Sequence, residues 1–575
     1  MNDHPAQPVE RPVGLETEYG ILKPGDPRAN PVALASRLVA AYGAVSRPAL
    51  TGPDGAPAPA VRWDYEDEDP LADLRGTRLE RAAAHPSLLT DDPDRPAPGG
   101  EETAPGAPGP TAPWGERARP GAAEAALPRP ATAVLTNGAR LYVDHAHPEY
   151  AAPEVLTPLD ALIWDRAGEV VARRAMAALA RGRGGAGPEQ VVLYKNNVDG
   201  KGAAYGSHEN YLVRRDVPFA DLAAALIPFL VTRPVVAGAG RVGIGPRSQR
   251  PGFQISQRAD YVGCDIGLQT TFNRPIVNTR DEPHADAARW RRLHVINGDA
   301  NRFETPVYLK VATTGLLLWY LERAHERGEG PGPLARLRLT ADPVEEHWAL
   351  SHDPTLRHAL ATASGARTAL EIQRAHLEEI RAAVVADYGA TRAAGRATHR
   401  ALALWDEVLA SLEACAAHPA DEAAVDAAAR DVEWLAKLRV CRGLRRRGGF
   451  GWDDPRLAAL DIQWADLREG RGIADRLIAA GRTRRLTDDA AIEAAADNPP
   501  AGTRAAVRGR AVAELARVVA ASWTGLVLDI PARPGLTRLA LPDSVRADAA
   551  TAEELLAALR DAIGTGPADG GTLAP

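Results

Sequence analysis

Residues 135–154, LTNGARLYVDHAHPEYAAPE, constrain the fold of this chain more than any other stretch. Asn137-Gly138 is the dipeptide suited to a tight type I′ hairpin turn, where both central positions need positive φ. The residues that follow alternate. On a β-strand Arg140, Tyr142 and Asp144 share one face while Leu141 and Val143 share the other. A cation, a phenol and a carboxylate backed by two apolar residues describe a strand that floors a polar site over a core. His145, His147, Glu149 and Glu154 follow within ten residues, a dense supply of metal ligands and proton-transfer groups.

At 575 residues the chain is long enough for two or more folding units. Hydrophobic content of 45% and charged content of 25% are those of a folded globular protein. A net charge of −7 argues against nucleic acid as a partner. The three cysteines, Cys264, Cys415 and Cys441, are far apart and form no CxxC, which excludes a disulfide scaffold and a zinc knuckle. The N-terminus has no apolar signal core, and no apolar run is long enough to span a bilayer. The expectation is a cytoplasmic protein with no membrane partner.

Residues 1–12 read as a frayed tail. Glu16 and Glu18 follow at i and i+2, so on a strand both carboxylates point to one side, a geometry suited to a hard cation. An isolated E-x-E is most often a solvated strand face, but a second acidic cluster at 144–154 can complete a site. Residues 31–42 read as a helix. Residues 62–130 read as an inserted loop, opening with the acidic-aromatic run RWDYEDEDP; within it, 91–130 collapse into Pro, Gly, Ala, Asp and Glu and are expected to be disordered. Thr157-Pro158 is an N-cap with proline at the first helical position. Ser207–Val213 reads as a strand with His208 and Asn210 on one face. The glycine-rich AGAGRVGIGP at 237–246 is no dinucleotide fingerprint, since it lacks the strand–turn–helix context. Arg280, Arg289, Arg291, Arg292 and His294 offer forked contacts to phosphate or carboxylate oxygens, or a surface ion-pair network. The rest is mostly helical, with helices expected at 303–327, 368–388, 400–416, 421–440, 503–520 and 551–562. Asn498-Pro499-Pro500 breaks the chain, and residues 481–575 are expected to form a small C-terminal domain after a catalytic domain of residues 13–480. Trp523 there is a core residue or a flat surface for an aromatic base.

The composite is an α+β protein: an antiparallel sheet, packed with helices, whose one face gathers Glu16, Glu18, Arg140, Tyr142, Asp144, Glu149, His208 and several arginines. With oxygen donors in the majority, the set suggests Mg²⁺ or Mn²⁺ rather than zinc. Mg²⁺ with arginines suggests nucleotide phosphates.

The ETEYG at 16–20, NGARLYVDHAHPEYAAPE at 137–154, YKNNVDGKGAAYGSHENYL at 194–212, NTRDEPHADA at 278–287, RRLHVINGDAN at 291–301 and NPPAGTRAAVRG at 498–509 together resemble the Pup ligase/Pup deamidase family. That family belongs to the carboxylate-amine ligases related to glutamine synthetase. The resemblance implies a glutamine-synthetase-like sheet cradle and a small C-terminal α/β domain. The ligase branch joins the C-terminal glutamate of the ubiquitin-like protein Pup to a lysine, whereas the deamidase/depupylase branch hydrolyses. DHAHPE after the strand, GIGP and PGFQISQR within 243–258, and RWDYEDEDPLADLRG at 62–76 are similar to the hydrolytic branch, although the Pro/Gly stretch at 91–130 is longer than expected there. The resemblance implies deamidation of Pup's C-terminal Gln and isopeptide cleavage from substrate lysines. It implies Mg²⁺ and an ATP that is bound but not consumed in each turnover. It makes Asp144 the catalytic aspartate, as nucleophile or base. Glu16, Tyr142 and Glu149 become metal ligands, with Glu18 and His208 beside them. Arg140 and Trp523 fall on the nucleotide side, and Asn210, Arg280, Arg292 and His294 become substrate or phosphate contacts. Pup and pupylated proteins are the implied partners, with a proteasomal ATPase pathway a further one. Arg214, Arg215 and the arginines at 289–292 are candidates for a groove that takes the acidic Pup. A Pup ligase on the same fold and a non-catalytic Pup-binding relative remain the alternatives.

Overall fold

The computed structural model describes all residues except 1–6, 52–54, 56–57, 90–113, 118–130, 186, 201, 248–249, 390–391, 531–532, 543–544 and 565–575. Eight strands build the main sheet: β1 (Val13–Glu18), β2 (Thr132–Val134), β3 (Arg140–Asp144), β4 (His147–Ala151), β5 (Ser207–Arg214), β6 (Val262–Gly267), β7 (Arg274–Asn278) and β8 (Trp290–Val295). Their order is β6-β7-β8-β5-β1-β4-β3-β2. Every neighbouring pair is antiparallel except β6 with β7, so the expected antiparallel sheet carries one parallel pair at its edge. Alternation explains why β1 sits at the centre. Val13 and Leu15 are 3% and 4% exposed and belong to the main core, leaving Glu16 and Glu18 for the opposite face. Leu141 and Tyr150 do the same in β3 and β4.

Helices close the apolar face. Helix α1 (Pro31–Gly43) is capped by the Asn30 side chain, which accepts from the amides of Val32 and Ala33. Helix α2 (Pro158–Ala180) starts as expected, with Thr157 Oγ1 accepting from the Asp160 amide at 3.1 Å. Helix α3 (Glu304–Glu326) is buried along nearly its whole length. Beneath β1, α2 buries an ionic cluster in which Glu169 meets Arg166 at 2.8 Å, Lys195 at 3.1 Å and Arg302 at 3.2 Å.

Several local expectations are corrected. The turn at Asn137-Gly138 is not type I′: Gly138 has φ +79°, but Asn137 is not in the positive-φ region. The Gly138 amide donates to the Leu135 carbonyl, and the Leu135 amide to the Ala139 carbonyl, as in a type I turn followed by a glycine bulge. Asn137 is fixed by its buried side chain, which donates to Tyr150 Oη and the Ala495 carbonyl and accepts from the Ala139 amide. The tail is not frayed over residues 7–12, because buried Arg11 pairs with Glu322 at 2.6 Å. The helix expected at 421–440 is two, Glu422–Ala429 and Glu433–Gly448. Between them Asp431 turns inward to Thr305 and Arg484. The helix expected at 503–520 ends at Glu514 and gives way to a strand.

The C-terminal unit has its own core, built from Val507, Val512, Leu526, Leu528, Leu539, Leu556 and Leu559. Its five-stranded sheet runs Arg62–Trp63, Val518–Ala521, Gly525–Leu528, Leu536–Ala540, Trp114–Arg117. Two of those strands come from the segment read as an inserted loop, and Trp114–Arg117 lies within the stretch expected to be disordered. The rest of 91–130 lies outside the described residues. The division expected at 480/481 precedes the boundary between the cores, since Ile492, Ala495 and Ala496 pack in the main one.

Two buried histidines give the fold an acid dependence. Burial pushes both His347 and His376 down to about 4. In the unfolded chain each titrates near 6.5, so between about pH 6.5 and 4 the unfolded state binds the extra protons and stability falls as pH falls. Each histidine contributes a loss of roughly 3 kcal/mol that is complete near pH 4. Urea midpoints measured from pH 7 to 4.5 should therefore drop, and His376→Leu should flatten that slope.

Candidate active site

Register brings the functional side chains together. Across the sheet Glu16 stands opposite His208, Glu18 opposite Glu149, and Asn210 opposite His294. Glu149 in turn faces Tyr142. Above this face lies a cavity of about 90 Å³ lined by Glu16, Arg140, Tyr142, Asp144, Glu149, His208, Arg280, Arg292, His294 and Trp523. Asn210 bridges two of the lining residues, donating to Glu16 Oε1 at 2.9 Å and lying 2.7 Å from His294 Nδ1. Glu18 borders the cavity through Glu149, and its Oε1 accepts from the Gly206 amide at 2.8 Å. A side chain at Gly206 would push the His208 ring and the Glu18 carboxylate out of these positions, so glycine here lets both stand close to the backbone. All twelve residues singled out from sequence converge here.

The carboxylates crowd. One donor atom each from Glu18, Asp144 and Glu149 lies within 4.8 Å of the other two, and the same holds for Glu16, His208 and His294. Burial, with the charges of Asp144, Glu16 and Glu18, pushes Glu149 well above the usual carboxylate range. Burial likewise raises the Tyr142 phenol, helped by the Glu149, Glu16 and Asp144 charges. Burial also works against ionisation of Asp144, but the hydrogen bond and charge of His145, with His208 and Arg280, outweigh it and hold the carboxyl below its ordinary value. Glu16 is held low in the same manner, with His208, Arg292 and Arg280 outweighing burial. Several acids pressed together on a buried face, oxygen-rich with histidines at the rim, fit a hard divalent cation, which would relieve the repulsion that Glu149 registers.

Arg140 sits in an aromatic cage, its guanidinium 4.0 Å from the Tyr142 ring centroid and 4.3 Å from that of Trp63, with Nη2 donating to Tyr65 Oη at 2.8 Å. Trp523, half-buried, meets Trp63 edge-on at 4.9 Å and lies under Arg508. It also lines an adjoining, mainly apolar pocket of about 90 Å³ with Gly14, Leu15, Ala152, Leu212 and Val545. Arg280 and Arg292 share Glu282, at 2.5 and 3.5 Å, and together they drive its carboxyl down to about 2 despite burial.

Some site residues escaped the sequence reading. Glu68 lines the cavity, its Oε1 accepting from Trp63 Nε1 at 2.6 Å, and burial raises it to about 7 against the pull of Arg140. It belongs to the flagged acidic-aromatic run, but only the fold shows that this run covers the site, pinned by the Asp69 amide on Glu282 and by Asp73 on Thr279. His284 also lines the cavity, lowered to about 4 by burial. Of the arginines offered for an acidic groove, Arg292 lines this cavity, while Arg214, Arg215 and Arg289 lie elsewhere. Arg214 pairs with Asp216 and Arg215 with Asp281, while Arg214 and Arg289 line a separate edge cleft with Trp290 and Trp319.

Fold and cavity together are those of an enzyme: a cradle-shaped sheet whose polar face gathers clustered acids, histidines and arginines around one cavity. The chain belongs to the Pup-ligase protein family, whose family model matches residues 11–527. It is 43% identical to the "Depupylase" of Acidothermus cellulolyticus, over 96% of this chain and 98% of that protein. It is 42% identical to the "Pup deamidase/depupylase" of Mycobacterium tuberculosis at the same coverage. A Pup–protein ligase from Arthrobacter is 39% identical over 70% of this chain and 85% of its own length. Among solved structures, the ligase PafA in complex with Pup matches with a TM-score of 0.69 at 29% identity, covering 97% of this chain and 93% of PafA. PafA in complex with ADP matches with a TM-score of 0.62 at 34% identity, over 75% and 90%. The α+β reading and the family expected from the motifs both stand. Among the described residues no helix is long and apolar enough to cross a membrane.

Proposed function

We propose that this protein is a Pup deamidase and depupylase that hydrolyses the γ-carbonyl bond of Pup's C-terminal residue, whether a free Gln amide or an isopeptide to lysine. What carries the reading is the placement of Asp144. It is an ionised carboxylate at the wall of a cavity that also holds a cation-fitting cluster and arginines. Near-complete coverage by the deamidase/depupylase relatives, against 70% by the ligase one, supports hydrolysis over ligation.

Glu16, Glu18, Glu149 and His208 would hold Mg²⁺, with Tyr142 beside them. Bound there, the ion supplies charge neutralisation and polarises an oxygen. The chain's own groups do the rest. Arg140, Arg280 and Arg292 would bind phosphate oxygens, with Asn210 and His294 at the margin. Trp523 and the apolar pocket beside it would hold the nucleotide base. Asp144 either attacks the carbonyl carbon, expelling the nitrogen and leaving an anhydride that water then hydrolyses, or takes a proton from a water that attacks directly. In both routes the bond to nitrogen breaks, a proton from water ends on the nitrogen, and ammonia or the lysine amine leaves with Pup's acid as the other product. ATP acts as a bound cofactor. Three unpaired cysteines fit a cytoplasmic reaction.

The test is incubation with glutamine-ended Pup, ATP and Mg²⁺, reading product mass. Conversion of amide to acid without matching ATP consumption is expected. Phosphate release coupled to modification of a lysine substrate by glutamate-ended Pup would instead make this chain a ligase.

A further inference from the structure

The turn that joins β3 to β4 holds a residue the reaction above leaves unused. Asp144 and His147 close the hairpin as a register pair, so His145 and Ala146 are its two turn residues. His145 has φ +50°, a left-handed backbone that costs any residue with a Cβ and that glycine adopts freely. Two-residue hairpins ordinarily solve this with glycine or asparagine. Here the chain retains an imidazole. Its Nδ1 lies 2.9 Å from Asp144 Oδ1, and the ring lines the cavity mouth. An imidazole is also short and stiff, with two side-chain torsions, so its donor fixes a carboxylate more tightly than a longer chain would.

We propose that His145 is a positioning residue for hydrolysis: by clamping one oxygen of Asp144 it fixes the plane in which that carboxylate meets the carbonyl or the water. This rests on the deamidase/depupylase reading and names the group that aims its catalytic residue. The backbone strain is retained because the side chain is needed there, a pattern characteristic of functional sites.

The strain makes the test clean. H145G removes the clamp but relaxes the backbone, so the fold should be at least as stable, and lost activity cannot be put down to unfolding. We expect H145G to lower kcat for glutamine-ended Pup about 10- to 100-fold, with KM for Pup and Kd for ATP unchanged. H145N, which tolerates the same backbone and keeps an N–H donor, should recover a large part of that loss. Unchanged kcat in H145G, a loss confined to KM, or H145N no better than H145G would each overturn the proposal. The clamp has a readout that does not need turnover. In protein labelled with ¹⁵N-histidine, the His145 ring, identified by its disappearance in H145G, should show a hydrogen-bonded Nδ1–H that shifts in Asp144→Ala. A ring insensitive to Asp144→Ala overturns the clamp even if the wild-type protein proves inactive on Pup. Inactive wild type with the coupled ring intact overturns only the deamidase/depupylase reading.

Discussion

Asp144→Asn should abolish both deamidation and depupylation while leaving ATP bound as before. The substitution keeps size and shape and allows a contact to His145 through the remaining oxygen, but it removes the charge that makes the group a nucleophile or a base. Proton transfer by a placed carboxylate contributes about 10²–10⁴-fold, and loss of a nucleophile costs more, so turnover should fall at least about a thousandfold. Stability should fall only modestly with it. His145, His208 and Arg280 outweigh burial and hold the folded carboxyl below its ordinary value, so its charge contributes stability at neutral pH that a neutral side chain gives up. Melting temperature should drop slightly, too little for unfolding to account for the lost turnover. Mass spectrometry of glutamine-ended Pup after long incubation gives the first readout and calorimetric titration with Mg-ATP the second. Acid product at a rate near wild type would refute the assignment. Intact chemistry with weakened Mg-ATP binding would move Asp144 into the metal site.

How far the sequence could foretell this site depends on which contacts are local. Alternation on residues 13–18 and 140–144 is a property of the strand itself, so the polar and apolar faces were legible without coordinates. That Glu16 lies against His208 and Glu18 against Glu149 is a property of sheet order, which spacing cannot supply. Strand β8 was hidden because one face of it, with Arg292 and His294, points into a polar cavity. Arg292 and His294 made that segment read as a charged surface, although Leu293 and Val295 are fully buried between them. The run at 62–76 read as the start of an inserted loop because its partners are hundreds of positions away in sequence. Asp67 binds Thr524 and Arg538, and the strand Arg62–Trp63 pairs with Ala520 and Ala521. Asn137 failed as a type I′ residue for a similar reason. Its side chain has distant tertiary partners, and those override the local preference of the Asn-Gly pair.

The largest stability effect is expected beneath the site rather than in it. Glu169, fully buried on α2, is the shared anion for Arg166, Lys195 and Arg302, and their charges hold its carboxyl far below the usual range against a strong desolvation penalty. Glu169→Ala leaves three buried cations without their shared anion, with Asp165, 2.6 Å from Lys195, Asp475, 2.5 Å from Arg302, and the more distant charge of Glu304 on Arg166 as partial answers. Breaking a buried ion cluster from one side typically costs about 3–5 kcal/mol, because the remaining charges stay desolvated. By contrast Glu493→Ala, which breaks an exposed pair with Arg174, should cost no more than about 1 kcal/mol. Because the folded Glu169 titrates below its unfolded value, its contribution is present above about pH 4.5 and fades as pH falls. The difference between wild type and E169A should therefore be full at pH 7 and shrink in acid. The consequence reaches the active site, since Asp165 of the same cluster lies 3.5 Å from Thr17, the residue on β1 between Glu16 and Glu18. Urea midpoints at pH 7 and pH 4 check the prediction, and a variant as stable as wild type at pH 7 would show that the cluster is solvated and does not anchor the strand that carries the site.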